Sequence, residues 1–134
     1  MAYLEKFEVH SSQVDLSTTG DKFRWGPTFD NFVVTGAAIT LNAAASAGSI
    51  QVAHRPTYGS DTGRTTHATV TVPSGAAAGR VIATTFTTPR VVSAGQEIVI
   101  AVGTAIAGNT AAKVSFYGYY DHDTLRNQAN VTVV

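Results

Sequence analysis

Thr66-His-Ala-Thr-Val-Thr-Val72 puts Ala68, Val70 and Val72 on one face of an extended chain and His67, Thr69 and Thr71 on the other. Successive strand side chains point to opposite faces, so this is the signature of a strand with one apolar side. The same period runs outward in both directions. In Gln96-Glu-Ile-Val-Ile-Ala-Val102, Ile98, Ile100 and Val102 point one way and Glu97 the other. Lys113-Val-Ser-Phe-Tyr-Gly-Tyr-Tyr120 sets Val114, Phe116 and Tyr120 against Lys113, Ser115, Tyr117 and Tyr119. Shorter alternations fall at Phe7/Val9, Val14/Leu16, Phe32/Val34, Ala37/Ile39/Leu41, Ile50/Val52, Ile82/Phe86 and Val131/Val133.

Turn-forming residues separate these segments: Ser17-Thr-Thr-Gly-Asp21, Arg24-Trp-Gly-Pro27, residues 43–48, Pro73-Ser-Gly75, Ser93-Ala-Gly95 and Ala107-Gly-Asn109. Short strands with a turn signal roughly every 8–12 residues describe a sandwich or barrel. The expectation is one all-β domain over residues 1–134, an antiparallel β-sandwich of the jelly-roll kind with about 8–10 short strands and no substantial helix. Residues 1–10 are expected to form an extending arm or an edge strand.

Composition agrees with the pattern. Ala (20), Thr (19) and Val (16) make up about two-fifths of the 134 residues, while Leu occurs four times. Thr and Val suit pleated strands, and a chain poor in Leu, Glu and Lys has little from which to build amphipathic helices. Nine basic and nine acidic side chains give zero formal net charge, which removes the electrostatic footprint of a nucleic-acid or membrane-surface binder. The absence of Cys excludes a disulfide scaffold, thiolate metal sites and a Cys nucleophile. Glu5, Lys6 and Glu8 fall where a signal peptide needs an apolar run, so synthesis in the cytoplasm without a cleaved leader is expected.

Three stretches rich in small residues, 43–48, 75–79 and 105–112, each precede a strand. They are expected to make compact hairpin connections at one end of the sandwich. Gly75-Ala-Ala-Ala-Gly79 lacks the Lys-Ser/Thr and the helix of a phosphate-binding loop.

The candidate chemistry is sparse. Tyr120-Asp-His-Asp123 is the densest polar cluster, but it lacks the oxygen-rich, glycine-turned loop of an EF-hand and reads as a solvated strand end. His10, His54, His67 and His122 are far apart and show no cupin-like spacing, so only the fold could assemble them into a metal site. The polar face of its strand places His67 at solvent or at an interface. No G-x-S-x-G nucleophile elbow occurs, and no pair among the nine acids is marked for glycosidase chemistry. The chain is expected not to be an enzyme and to carry no cofactor or metal.

What remains has the vocabulary of an interface. Arg55-Pro-Thr-Tyr-Gly-Ser-Asp-Thr-Gly-Arg-Thr65 is the longest non-alternating polar segment, and Arg55, Tyr58, Asp61 and Arg64 are its candidate contact residues. Tyr117 and Tyr119 lie on the less apolar face of their strand, where they could stack on sugars or bury against a neighbour. Trp25 completes the candidate set, with packing in the core or over an edge as its competing role.

A small, Cys-free, Ala/Thr/Val/Gly-rich β chain resembles a tailed-bacteriophage structural protein. Phe86-Thr-Thr-Pro-Arg-Val-Val-Ser-Ala-Gly-Gln-Glu-Ile-Val-Ile-Ala-Val102 resembles a turn of viral β-sandwich modules, in which a strand ends near a Pro, an Ala-Gly turn follows and a buried strand begins. The family it resembles is the jelly-roll capsid cement, or decoration, proteins. That resemblance implies a homotrimer bound to the major capsid protein on the outer surface of a virion, and it assigns no functional residues. Three alternatives stay open: a carbohydrate-binding module of a tail tip or lectin-like kind, another head or tail component, and a jelly-roll enzyme with a metal at His and Asp.

Overall fold

The computed structural model describes residues 6–57 and 63–121. Eight strands lie among them: β1 Lys6–His10, β2 Gly20–Trp25, β3 Asn31–Thr40, β4 Gly48–Arg55, β5 Thr65–Val72, β6 Val81–Val92, β7 Glu97–Thr104 and β8 Lys113–Asp121. They form two four-stranded sheets, β1-β8-β3-β6 (sheet I) and β2-β7-β4-β5 (sheet II), with every pairing antiparallel. Only β4 and β5 follow each other within one sheet; every other connection crosses between sheets. This strand order is the jelly roll expected from the sequence.

The strands form where the alternation said, with three corrections. Phe32/Val34 and Ala37/Ile39 belong to one strand, β3, not two. A bulge between Val34 and Gly36 inserts Thr35 into the ladder, so the inward set switches from even to odd numbers. Val14/Leu16 is not a strand. Val14 makes an isolated bridge to Ala112, and Leu16 is a buried plug whose N–H donates to the Asn109 carbonyl at 2.8 Å. Third, β2 occupies the segment read as two turns around Lys22. Its alternation is hidden by a bulge between Asp21 and Phe23, beyond which Phe23 and Trp25 pack on the core. The segment 131–133 lies outside the described residues.

β6 also runs through Pro89 to Val92 instead of ending near it. A proline has no N–H for the ladder, and β6 tolerates it because it is the outer strand of sheet I. At the opposite edge β1 pairs with β8, from Lys6 against Tyr119 to His10 against Ser115.

The core lies between the sheets. Phe32, Phe116, Leu16, Ile39, Ile50, Ile98 and Ile100 are fully buried there. Trp25 stands edge-on to Phe32 and Phe116, with ring centroids 5.1 and 5.4 Å away.

The small-residue loops gather at one end, but each carries the chain from one sheet to the other, so none is the hairpin connection expected. Ala45 bridges Ala76, the Gly79 N–H donates to the Leu41 carbonyl at 2.8 Å, and the Ile106 N–H donates to the Leu16 carbonyl at 2.8 Å. Asn109, fully buried, is the latch: its Oδ1 accepts from the Asn42 and Ala43 N–H groups at 3.0 and 3.1 Å. Asn109→Ala leaves both donors without that acceptor, and the expected loss is about 2 kcal/mol of stability by urea denaturation. A loss under about 0.5 kcal/mol would show that water replaces the latch.

Candidate functional site

The two outward sheet faces differ in chemistry. On sheet II, β2, β7 and β4 bring Arg24 level with Val99 and Ala53, and Glu97 level with Arg55. Arg24 Nε donates to Glu97 Oε1 at 2.7 Å, and Arg55 Nε lies 3.8 Å from the same oxygen. Arg55 also pairs with Asp21, which Arg64 reaches at 3.2 Å while donating to Gln51 at 3.1 Å. Glu97, on the side opposite Ile98 as expected, is nonetheless 1% exposed. No local pattern marks this network, because its members are dispersed from Asp21 to Glu97.

Arg55 and Arg64, two of the expected interface residues, are thus held by acids of their own sheet. Tyr58 and Asp61 lie outside the described residues, as do His122 and Asp123. Trp25 packs in the core, the competing role given to it above.

Sheet I turns outward a surface that is uncharged along β3 and carries ionisable side chains along β1 and β8. Val33, Ala38 and Ser115 are buried along its middle, and Tyr117 and Tyr119 are half-buried beside them. On β6, Val81 and Val91 are 58% and 53% exposed. Ionisable groups lie toward the β1 side and along β8: Glu8 and His10, which contact each other at 3.2 Å, and Lys113 and Asp121 at the ends of β8. An open groove of about 530 Å³ runs along β1 and β8, lined by Phe7, Glu8, Thr35, Tyr117, Gly118 and Tyr119. Alternation alone identified Tyr117 and Tyr119. Val81 and Val91 were missed because a sequence does not show that β6 has an outward face bare of neighbours.

His54 and His67 meet at the edge where β5 approaches β6. The ladder pairs Val52 with Ala68 and then Ala53 with Thr66, leaving His67 as the extra residue of a bulge. Its ring turns to share a hydrogen bond between His67 Nε2 and His54 Nδ1, with ring centroids 4.7 Å apart. The expected solvent-facing position is therefore corrected to a half-buried one. A recess of about 230 Å³ adjoins it, lined by Thr84, Phe86, Thr88 and Arg90 among others. Burial, then the neighbouring His54 and Arg90 charges, pushes His67 down to about 4. No group of three or more His, Asp or Glu suited to a metal occurs among the described residues.

The depressed His67 pKa has a signed consequence. Above about pH 6.5 the ring is neutral in both folded and unfolded chains, and its contribution to stability is complete. Between about 6.5 and about 4 the unfolded chain takes a proton that the folded one refuses, so stability falls with pH. Partial solvation of the ring reduces the expected loss to about 1–2 kcal/mol. Urea denaturation of the wild type and His67→Gln across pH 7 to 4 measures it; equal slopes would contradict the assignment.

No family model matches the chain, and no curated protein matches it by sequence. Solved structures similar to it include the globular domain of a zebrafish complement 1qA protein, at 11% identity and a TM-score of 0.47, covering 88% of this chain and 97% of that one. A structure of infectious bursal disease virus, Gx strain, matches at 13% identity and a TM-score of 0.44, covering 90% of this chain and 33% of the viral one. The Gt strain matches at 14% identity and a TM-score of 0.35, covering 88% and 31%. This chain spans about a third of each viral chain. The jelly-roll description rests on the strand order itself.

Proposed function

We propose that this chain is a non-enzymatic structural protein of a virion, a cement or decoration protein seated on the outer surface of a tailed-phage head against the major capsid protein. The observation that carries the reading is the outward face of sheet I, broad, uncharged along β3 and presenting Val81, Val91, Tyr117 and Tyr119. A surface of that kind is stabilised when another protein covers it, the capsid protein or a neighbouring copy on the shell. Loops hydrogen-bonded to one another at the Asn109 end support a stiff module. Zero formal net charge supports close crowding of many copies on a shell.

Copy number in purified particles of the encoding virus tests the reading. Hundreds of copies per particle are expected of a cement protein, and a few to tens would assign the chain to a neck or tail instead.

One observation favours a second reading, a carbohydrate-binding module. The groove along β1 and β8 holds two tyrosines beside Glu8, a combination of ring faces and a hydrogen-bonding acid that suits a saccharide. A glycan array separates the two: a cement protein stays blank, and a lectin-like module gives signal that Tyr117→Ala and Tyr119→Ala remove.

A further inference from the structure

We infer that the outward face of sheet I is covered by a second copy of this chain, the two related by a two-fold axis that runs across the strands between the Ser115 and Tyr117 rows. The inference rests on the proposed structural role in one respect, that the face works by being covered.

The argument comes from the register of the four strands. Across sheet I, Tyr119 is level with Val33 and Val91, Tyr117 with Glu8 and Gly36, Ser115 with His10, Ala38 and Ala83, and Lys113 with Thr40 and Val81. Two such faces can be stacked with each strand antiparallel to its own copy and the axis midway between the Ser115 and Tyr117 rows. Every row then meets a defined row of the partner. The Tyr117 row falls on the Ser115 row, and the Tyr119 row on the Lys113 row.

Most of the contacts this produces are complementary; the exception is Lys6, level with Tyr119 and so set against the partner's Lys113 row. Val91 meets the partner's Val81, joining the two most exposed valines of the described chain. Tyr117 faces the partner's Ser115, a buried small residue that leaves room for a ring. Tyr119 faces the partner's Lys113, a pairing of aromatic face and ammonium. Glu8 faces the partner's His10, repeating between copies the contact the two make at 3.2 Å within one chain. In the middle, Gly36, with the Tyr117 ring lying close beside it, meets the partner's Ala38. An isologous interface demands self-complementarity of this kind, and one axis supplies most of it.

The size also fits a second copy. Four strands about 4.8 Å apart and about eight residues long, at about 3.3 Å per residue, make a face of roughly 500 Å² in projection. Side-chain relief raises the accessible area toward the roughly 800 Å² per partner of a standard interface. An interface at the lower end of that class gives a dimer that dissociates on dilution. The resemblance to cement proteins implied three copies; this register pairs two.

The test uses the absence of Cys in the chain. Val81→Cys and Val91→Cys chains are prepared separately, then mixed at about 50 μM with a thiol-to-thiol linker about 10 Å long, the spacing of stacked sheets. The expected result is a mixed linked dimer at least about tenfold more abundant than either self-linked dimer. Sedimentation of the wild type is expected to show a dimer that dissociates on dilution. Val91→Asp, at an exposed position, removes the dimer without loss of the folded spectrum, while Thr71→Asp on sheet II leaves it intact. A monomer at every concentration, a trimer, or equal cross-linking in all three mixtures overturns the inference. A monomer or trimer that still binds phage heads fails here while the virion role stands. A cross-linked dimer that ignores heads supports the pairing and removes that role.

Discussion

Glu97→Ala lowers the unfolding free energy by about 3–5 kcal/mol. The carboxylate is 1% exposed and sits between two guanidiniums, Arg24 at 2.7 Å and Arg55 at 3.8 Å. Arg55 is itself buried, with Nε and one terminal nitrogen lacking hydrogen-bond partners. Removing the acid leaves that cation with Asp21 as its remaining counter-charge, in a place water scarcely reaches. The cost of the substitution is chiefly the under-compensated buried charge left behind, not the strength of the pair. Arg24 is about a third exposed and recovers part of its solvation, which holds the effect to the lower half of the range. In a domain of this size the midpoint of thermal unfolding falls by about 10–15 °C. Glu97→Gln keeps the shape and an acceptor but not the charge, and it is expected to lose about half as much. If Glu97→Ala melts within about 3 °C of the wild type, the network is solvated and its burial is incidental.

Gly118→Ala costs about 3 kcal/mol or more, although it adds a single methyl group. Gly118 faces inward on β8, and the Phe32 ring fills the space a side chain would take. An added Cβ would lie 2.8 Å from Phe32 Cζ and closer still to the Val33 carbonyl oxygen. The ring can shift, but the carbonyl belongs to the β3–β8 ladder and can move only if hydrogen bonds break. Truncating the ring therefore should not rescue the variant: Gly118→Ala with Phe32→Leu stays at least as unstable as Gly118→Ala alone. Recovery to within about 1 kcal/mol of the wild type would place the obstruction in the ring instead of the backbone. Chemical denaturation with the slope monitored separates lost stability from a changed fold.

These two residues illustrate what the sequence could and could not show. Alternation located the apolar strands and their inward faces, because period 2 is imposed by the backbone and is readable without any partner. Parity failed wherever a bulge inserted a residue. Thr35 split β3 into two apparent strands, Lys22 concealed β2, and the extra residue in β5 turned His67 from the solvent side toward His54. A bulge is a property of a pair of strands, so no single segment announces it. The buried side of Glu97 was hidden for the same reason. Its position opposite Ile98 reads as solvent until Arg24 and Arg55, far away in the chain, are laid over it.

The candidate interface divided similarly. Tyr117 and Tyr119 reach the outward face their own strand indicated, whereas the ion pairs of Arg55 and Arg64 had no local mark because Asp21 lies on another element. Val81 and Val91 carried no local mark at all. Their exposure follows from the place of β6 at the edge of sheet I.

The proposed role is tested most directly by sedimenting the purified chain with heads of the virus that encodes it, stripped of their own copy, on a density gradient. The account predicts that the chain moves with the heads and saturates at a fixed number of copies per capsomer. It also predicts that decorated heads resist heat or low salt better than bare ones. A chain that stays at the top of the gradient at every concentration, with heads no more stable for its presence, would contradict a cement function.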